Sequence, residues 1–177
     1  YSYANGARVS FDYWLAQKLQ MLTAVETGYL KNIRYDRSNN KNLMLSHSLI
    51  YYPNARQYWM GGLDLYRERN PADRGDNFNR YGMRFAWGQE WGGSGLSSLF
   101  RLGVAKRHYE KPSFFSSFKG ERRRDRELDT SLSLWHRALH IKGITTRLTL
   151  SHRETWSNDV MNEYEKNRAF IEFNKTF

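Results

Sequence analysis

Apolar and polar side chains alternate with a period of two along most of this chain, which is the pattern of extended strands with one apolar face. Between residues 8 and 15, for example, Val9, Phe11 and Tyr13 alternate with Ser10 and Asp12. Similar segments occur near residues 19–35, 43–51, 59–66, 80–87, 101–105, 128–135, 146–151 and 168–177. The pattern predicts nine strands, and no segment shows the spacing of an amphipathic helix.

The segments between these strands alternate in length. Short links follow the first, third, fifth and seventh strands, and longer polar loops follow the others. Pro53, Pro71 and Pro112 all fall in connections, as strands require. Tight periplasmic turns opposite large extracellular loops are typical of an outer-membrane barrel, so we predict an all-β, antiparallel transmembrane up-and-down β-barrel. A soluble sandwich or barrel would also alternate and stays the alternative.

Charged residues within the strands sort to the face opposite the apolar one. A strand buried on both faces could not hold this many ions, because each unpaired charge would cost several kcal/mol, whereas a wet lumen can. These candidate lumen charges form either a path for a passing polypeptide or a cross-strand ladder of ion pairs. They are Asp12, Glu26, Asp64, Arg84, Arg101, Asp129, Arg147 and Glu172.

Aromatic residues gather where strands approach the short links, which predicts an interfacial girdle. Its predicted members are Tyr13, Tyr51, Tyr58, Trp59, Trp87, Trp91 and Trp135. The final strand carries Ala169, Ile171, Phe173 and Phe177 on one face and stops on the aromatic, which is typical of barrels of this kind. We expect Phe173 and Phe177 to form a C-terminal signal for the barrel-assembly machinery.

Composition and charge bear on which other classes of protein remain possible. The chain has 177 residues, a net charge of +10 and no cysteine. A run of about 18 apolar residues, the requirement for a transmembrane helix, does not occur. Basic residues are spread over all loops, which disfavours a nucleic-acid interface. The densest cluster, Arg122, Arg123, Arg124 and Arg126, could contact an acidic protein surface or lipopolysaccharide phosphates, or could be a solvated rim paired with its own acidic neighbours.

Candidate catalytic residues are few. Ser151 and His152 are adjacent with Glu154 nearby, but neighbouring residues of a strand point to opposite faces. The five histidines show no metal-ligand spacing. We therefore expect no enzymatic activity, no metal and no cofactor.

Several stretches resemble the C-terminal domain of the surface lipoprotein assembly modifier family of Gram-negative bacteria. The resemblance covers nearly the whole chain and its blocks fall in the family's order. They are residues 56–59 (RQYW), 62–69 (GLDLYRER), 80–82 (RYG), 87–91 (WGQEW), 122–127 (RRRDRE), 131–137 (SLSLWHR) and 167–177 (NRAFIEFNKTF).

This resemblance implies more than the pattern does. Family members look like a periplasmic helical-repeat domain joined to a barrel of about fourteen strands. Residues 1–177 would then be a single segment, the C-terminal part of that barrel, with the first strands and the helical domain absent. The implied function is non-catalytic export of lipoproteins from the periplasm to the cell surface, with client lipoproteins, outer-membrane lipids and the assembly machinery as partners and no nucleic acid. The alternative is an outer-membrane pore or a surface-adhesion barrel.

Overall fold

A computed structural model describes residues 2–32, 39–70, 77–112, 120–141 and 143–175. These residues form nine strands and a short 3-10 helix, Val160–Asn162. The strands are β1 Ser2–Ala16, β2 Leu19–Asn32, β3 Asn40–Asn54, β4 Gln57–Arg69, β5 Phe78–Glu90, β6 Leu96–Tyr109, β7 Arg124–Ile141, β8 Ile144–Ser157 and β9 Tyr164–Lys175.

Each strand pairs antiparallel with the next, so the sheet order is the chain order from β1 to β9. This up-and-down meander confirms the predicted all-β antiparallel class. Within the described residues β1 and β9 form the two edges of the sheet and do not pair with each other. Unpaired strand edges are not tolerated in lipid, so a closed membrane barrel would need further strands between these two edges.

The register aligns the apolar positions of successive strands into one continuous face, which we call the outer face. One row of direct partners runs through Val9, Val25, Leu45, Leu65 and Tyr81. Between 39% and 58% of each of these side chains is exposed. A surface this apolar and this exposed requires a nonaqueous environment or a covering partner. The opposite face, here the inner face, carries most of the strand charges.

The two ends of the sheet differ in the length of their connections. Residues 17–18, 55–56, 91–95 and 142–143 link strands at one end, and residues 33–39, 70–77, 110–123 and 158–163 link them at the other. We call these the short-loop end and the long-loop end. The predicted alternation of short and long connections is therefore confirmed.

Strand boundaries were predicted less well than strand number. The last strand begins at Tyr164 rather than near Arg168, and the first begins at Ser2 rather than near Arg8. Both extensions lie at the long-loop end, and neither contains a large aliphatic side chain. Backbone ladder bonds need no apolar side chain, so pairing continues beyond the apolar band that marked the strands in the sequence.

The predicted aromatic girdle is partly wrong. Trp59 and Trp87 stack on the outer face with ring centroids 5.7 Å apart, as expected for a girdle. Tyr58 and Trp135 instead lie on the inner face, because they are one residue out of phase with their apolar neighbours. Tyr13, Tyr51 and Trp91 are exposed near the short-loop end. No helix among the described residues is long and apolar enough to span a bilayer.

Candidate functional site on the inner face

The register places all eight candidate lumen charges on the inner face. The direct partner of each belongs to that face, for example Arg147 opposite Glu172 and Arg101 opposite Ser131. Asp129 lies opposite both Gly103 and Arg153. The charges are Asp12, Glu26, Asp64, Arg84, Arg101, Asp129, Arg147 and Glu172. The sheet therefore brings them onto one surface, although it does not join all of them in ion pairs.

Some of these charges hold neighbouring strands together. Asp64 Oδ2 lies 2.5 Å from Arg84 Nε, and the Asp64 side chain is only 6% exposed. Arg84 Nη2 also donates to Ser48 Oγ over 3.3 Å, so one guanidinium links β3, β4 and β5. Asp129 pairs with Arg153 across β7 and β8. These contacts match the ion-pair-ladder interpretation.

Other predicted charges are held by weaker contacts. Asp12 accepts two hydrogen bonds from the Gln20 amide at 2.8 and 2.9 Å. Glu26 lies 3.7 Å from Arg8, and both side chains are about half exposed or more. Arg147 lies over the Trp135 ring, with 4.8 Å between the guanidinium carbon and the ring centroid. The strength of the ladder therefore varies greatly along the sheet.

Glu127 organises a set of inner-face charges that the sequence did not single out. Its Oε2 lies 2.7 Å from Arg80 Nε on β5, and its Oε1 lies 2.5 Å from Arg107 Nη2 on β6. The Glu127 side chain is 11% exposed. A single carboxylate therefore bridges three strands. The only signal in the sequence is that Glu127, Arg80 and Arg107 each fall on the polar side of the two-residue alternation of their strand.

Aromatic rings and arginines cover the inner face near the long-loop end. The Tyr66 and Phe78 ring centroids are 5.6 Å apart, and those of Phe78 and Tyr109 are 5.3 Å apart. Arg107 lies over Phe78 at 4.6 Å, and Arg123 lies over Tyr109 at 4.2 Å. Cation–π stacking of this kind restrains arginines that would otherwise be mobile. This end of the wall is consequently well packed.

A concave region of about 920 Å³ lies along the inner face from β4 to β9. Besides the ion-paired residues it is lined by Arg101, Lys166 and Arg168. In the described part of the chain, no carboxylate lies within ion-pair distance of these three cations. The surface therefore carries positive charge that the sheet does not neutralise internally.

The arginine run at the start of β7 divides between the two faces. Arg123 donates to Asp125 at 3.0 and 2.7 Å, and Asp125 is 2% exposed on the inner face. Arg124 and Arg126 lie on the outer face, opposite His108 and Lys106. Arg122 precedes the strand and is exposed. Arg123 is therefore paired with an acidic neighbour, but at 17% exposure it is not part of a solvated rim. Arg124 and Arg126 have no carboxylate within ion-pair distance among the described residues.

The remaining candidate groups are dispersed. Ser151 lies on the inner face opposite Arg168, and His152 lies on the outer face opposite Asn167, as expected for neighbours in a strand. No group of three potential metal ligands occurs among the described residues. Phe173 lies on the outer face and is 70% exposed, and Phe177 lies outside the described residues. The assembly-signal role of these two phenylalanines stays a prediction.

Comparison with known proteins gives matches over the whole chain. Residues 1–177 match the sequence model of the family described as surface lipoprotein assembly modifier. The chain is 77% identical over 177 residues to surface lipoprotein assembly modifier 1 of Neisseria meningitidis serogroup B, covering 100% of this chain and 36% of that protein. It is 45% identical over 177 residues to the Moraxella catarrhalis surface lipoprotein assembly modifier, covering 100% of this chain and 35% of that protein. The chain thus spans about a third of these relatives, 36% and 35% of their lengths.

Among solved structures, the β domain of the Bordetella autotransporter BrkA is similar over 97% of this chain and 76% of its own, with a TM-score of 0.48 and 12% sequence identity. That similarity is too distant to inform function. The match to the family covers every residue, and the resemblance noted in the sequence agrees with it. This chain therefore belongs to the surface lipoprotein assembly modifier family.

Proposed function

We propose that this chain is part of the transmembrane β-barrel of an outer-membrane translocator that helps deliver lipoproteins from the periplasm to the cell surface without catalysing a reaction. The observation that carries the proposal is the family match over residues 1–177. The relatives' names refer to surface lipoproteins. An exposed apolar outer face and a charged inner face are what a strand wall needs between lipid and a wet lumen.

In this proposal the inner face has two kinds of charge with different roles. Ion-paired residues, such as Asp64 with Arg84, hold the strands in register and keep the wall rigid. Arg101, Lys166 and Arg168 offer positive charge to acidic segments of a passing lipoprotein. Exposed charges make weak, screened contacts, which suits a polypeptide that must keep moving.

The test is to neutralise these three inner-face cations together in the intact protein, as Arg101→Gln, Lys166→Gln and Arg168→Gln. An exposed charge contact contributes about 0.5 kcal/mol, so the loss of all three, about 1.5 kcal/mol, should lower export by about tenfold. The measurement is the fraction of a co-expressed lipoprotein that antibodies reach on intact cells, relative to total lipoprotein. Heat-modifiable migration on gels checks that the variant barrel has folded.

A matched control removes three positive charges from connections, as Lys18→Gln, Arg56→Gln and Lys111→Gln. Export should stay at the wild-type level. If the inner-face variant exports as much lipoprotein as the wild-type protein, the proposed role of the three cations is contradicted. Steady ion conductance through the intact protein in lipoprotein-free liposomes would instead favour a passive pore and contradict the translocator proposal.

A further inference from the structure

The outer face contains a groove of about 860 Å³ over strands β3 to β8. Its floor is formed by apolar side chains, including Leu63, Leu65, Met83, Val104 and Leu128. Most of these are roughly half exposed, with 56% for Leu63 and 57% for Met83. A depression of this kind on the lipid-facing surface can take hydrocarbon chains.

Cations close this groove at the long-loop end. Lys106 on β6 and Arg126 on β7 line it and are direct cross-strand partners on the outer face. Like charges directly opposite each other destabilise a sheet unless an anion lies between them. Within the described ranges neither has a carboxylate within ion-pair distance. Lys106 and Arg126 can therefore bind an anion between them.

The surroundings extend this positive charge along the sheet. Further cations lie on the outer face between the apolar band and the long-loop end. They are Lys31 on β2, Lys41 on β3, Arg67 on β4 and Arg124 on β7. No residue on the outer face of β2 to β7 is acidic within the described strands. The outer-face carboxylates Glu154 and Glu165 lie on β8 and β9, where they face His152.

Aromatic residues flank the two cations, because Tyr81 is the direct cross-strand partner of Lys106 and Trp156 is that of Arg126. Tyr81 and Trp156 line the groove and are 53% and 43% exposed. The Tyr81 ring makes an edge contact with His108, with 6.1 Å between centroids. Rings with a polar edge prefer the level of lipid head groups. Hydrocarbon chains on the apolar floor and an anionic head group at the level of these rings would both be accommodated.

We propose that this groove binds the lipid A portion of lipopolysaccharide, with acyl chains on the apolar floor and a phosphate between Lys106 and Arg126. The proposal rests on the outer-membrane location given under Proposed function, which places the long-loop end in the outer leaflet. Phosphorylated glycolipid with several acyl chains is the anionic lipid of that leaflet. Paired cations recognise phosphate well, and arginine can do so through two parallel hydrogen bonds.

The test measures binding of fluorescent bisphosphorylated lipid A to the intact purified protein in neutral detergent, by fluorescence polarisation. We expect Lys106→Gln with Arg126→Gln to weaken binding by about tenfold or more, because two charged contacts to phosphate are lost. The two single variants should each lose part of this affinity. The control Lys18→Gln with Arg56→Gln removes the same charge at the short-loop end and should bind like wild type.

Two further probes separate the head group from the acyl chains. Phosphate-free lipid A should bind more weakly to the wild-type protein and should not distinguish it from the double variant. Deacylated bisphosphorylated disaccharide should also bind weakly, because it leaves the groove empty. Equal affinity of wild type and double variant for bisphosphorylated lipid A would overturn the proposal, and so would tight binding of the deacylated head group.

Lipoprotein display by the same variants separates this proposal from that for export. The double variant keeps every inner-face residue, so reduced lipid A binding with normal display supports the lipid site alone. Lost display with unchanged lipid A binding would show that this surface contacts protein and would overturn the lipid proposal. If the inner-face variant does not affect export, the proposed role of the inner face is contradicted, but the lipid A measurement still tests the lipid site.

Discussion

Glu127 holds two arginines from neighbouring strands, so Glu127→Gln tests how the inner face is kept together. Its two oxygens lie 2.7 Å from Arg80 and 2.5 Å from Arg107, and the side chain is 11% exposed. A charge pair about 4 Å apart attracts by about 4 kcal/mol at an effective dielectric of about 20, before the desolvation cost is subtracted. Removing one partner of a buried pair costs about 3–5 kcal/mol, because the remaining charge is left uncompensated.

The expected loss of unfolding free energy is smaller than for a fully buried pair. Both arginine side chains are 28% exposed, so water partly compensates them after the substitution. We therefore expect Glu127→Gln to destabilise the intact protein by about 2–3 kcal/mol. The matched control is Glu26→Gln, whose pair with Arg8 spans 3.7 Å with side chains 49% and 64% exposed. That change should cost less than about 1 kcal/mol.

The assay is urea unfolding of the intact protein in detergent, followed by tryptophan fluorescence and by heat-modifiable migration. The midpoint should shift clearly for Glu127→Gln and hardly at all for Glu26→Gln. Equal small shifts, below about 0.5 kcal/mol for both, would refute the bridging role of Glu127. In a double-mutant cycle with Arg80→Gln, the coupling energy should account for a large part of the loss.

Two further changes test local packing in the same unfolding assay. Gly88→Ala should cost about 1–3 kcal/mol of unfolding free energy, because an added Cβ would lie 2.2 Å from the Tyr58 ring. Gly61→Ala should cost much less, because no atom lies within 4 Å of its added Cβ. Equal costs for the two variants would contradict this packing. Asp125→Asn should cost about 2 kcal/mol, because the carboxylate is 2% exposed and accepts hydrogen bonds from an arginine and a serine. Glu121→Gln, in the exposed connection, should be nearly neutral, and a similar cost for both would show that burial is not the cause.

Pairing and curvature decided features that no single strand could show. In the sequence Glu127 is one more charged residue near a run of arginines. Strand pairing places it next to Arg80, which is 47 positions away in the chain. Lys106 and Arg126 become direct partners only through the β6–β7 register. Tyr58 was assigned to the girdle from its position near a link, whereas its phase in β4 turns it inward over Gly88.

The sequence by itself determined the strand number, the all-β meander, the alternation of short and long connections and the face on which each predicted charge lies. These follow from local rules, because side chains alternate at every step of a strand and turns have local composition. Only the tertiary structure decided which charges are paired, which cations are left over and where the outer-face groove lies. These depend on side chains from three or more strands meeting, and that requires the register and bending of the whole sheet.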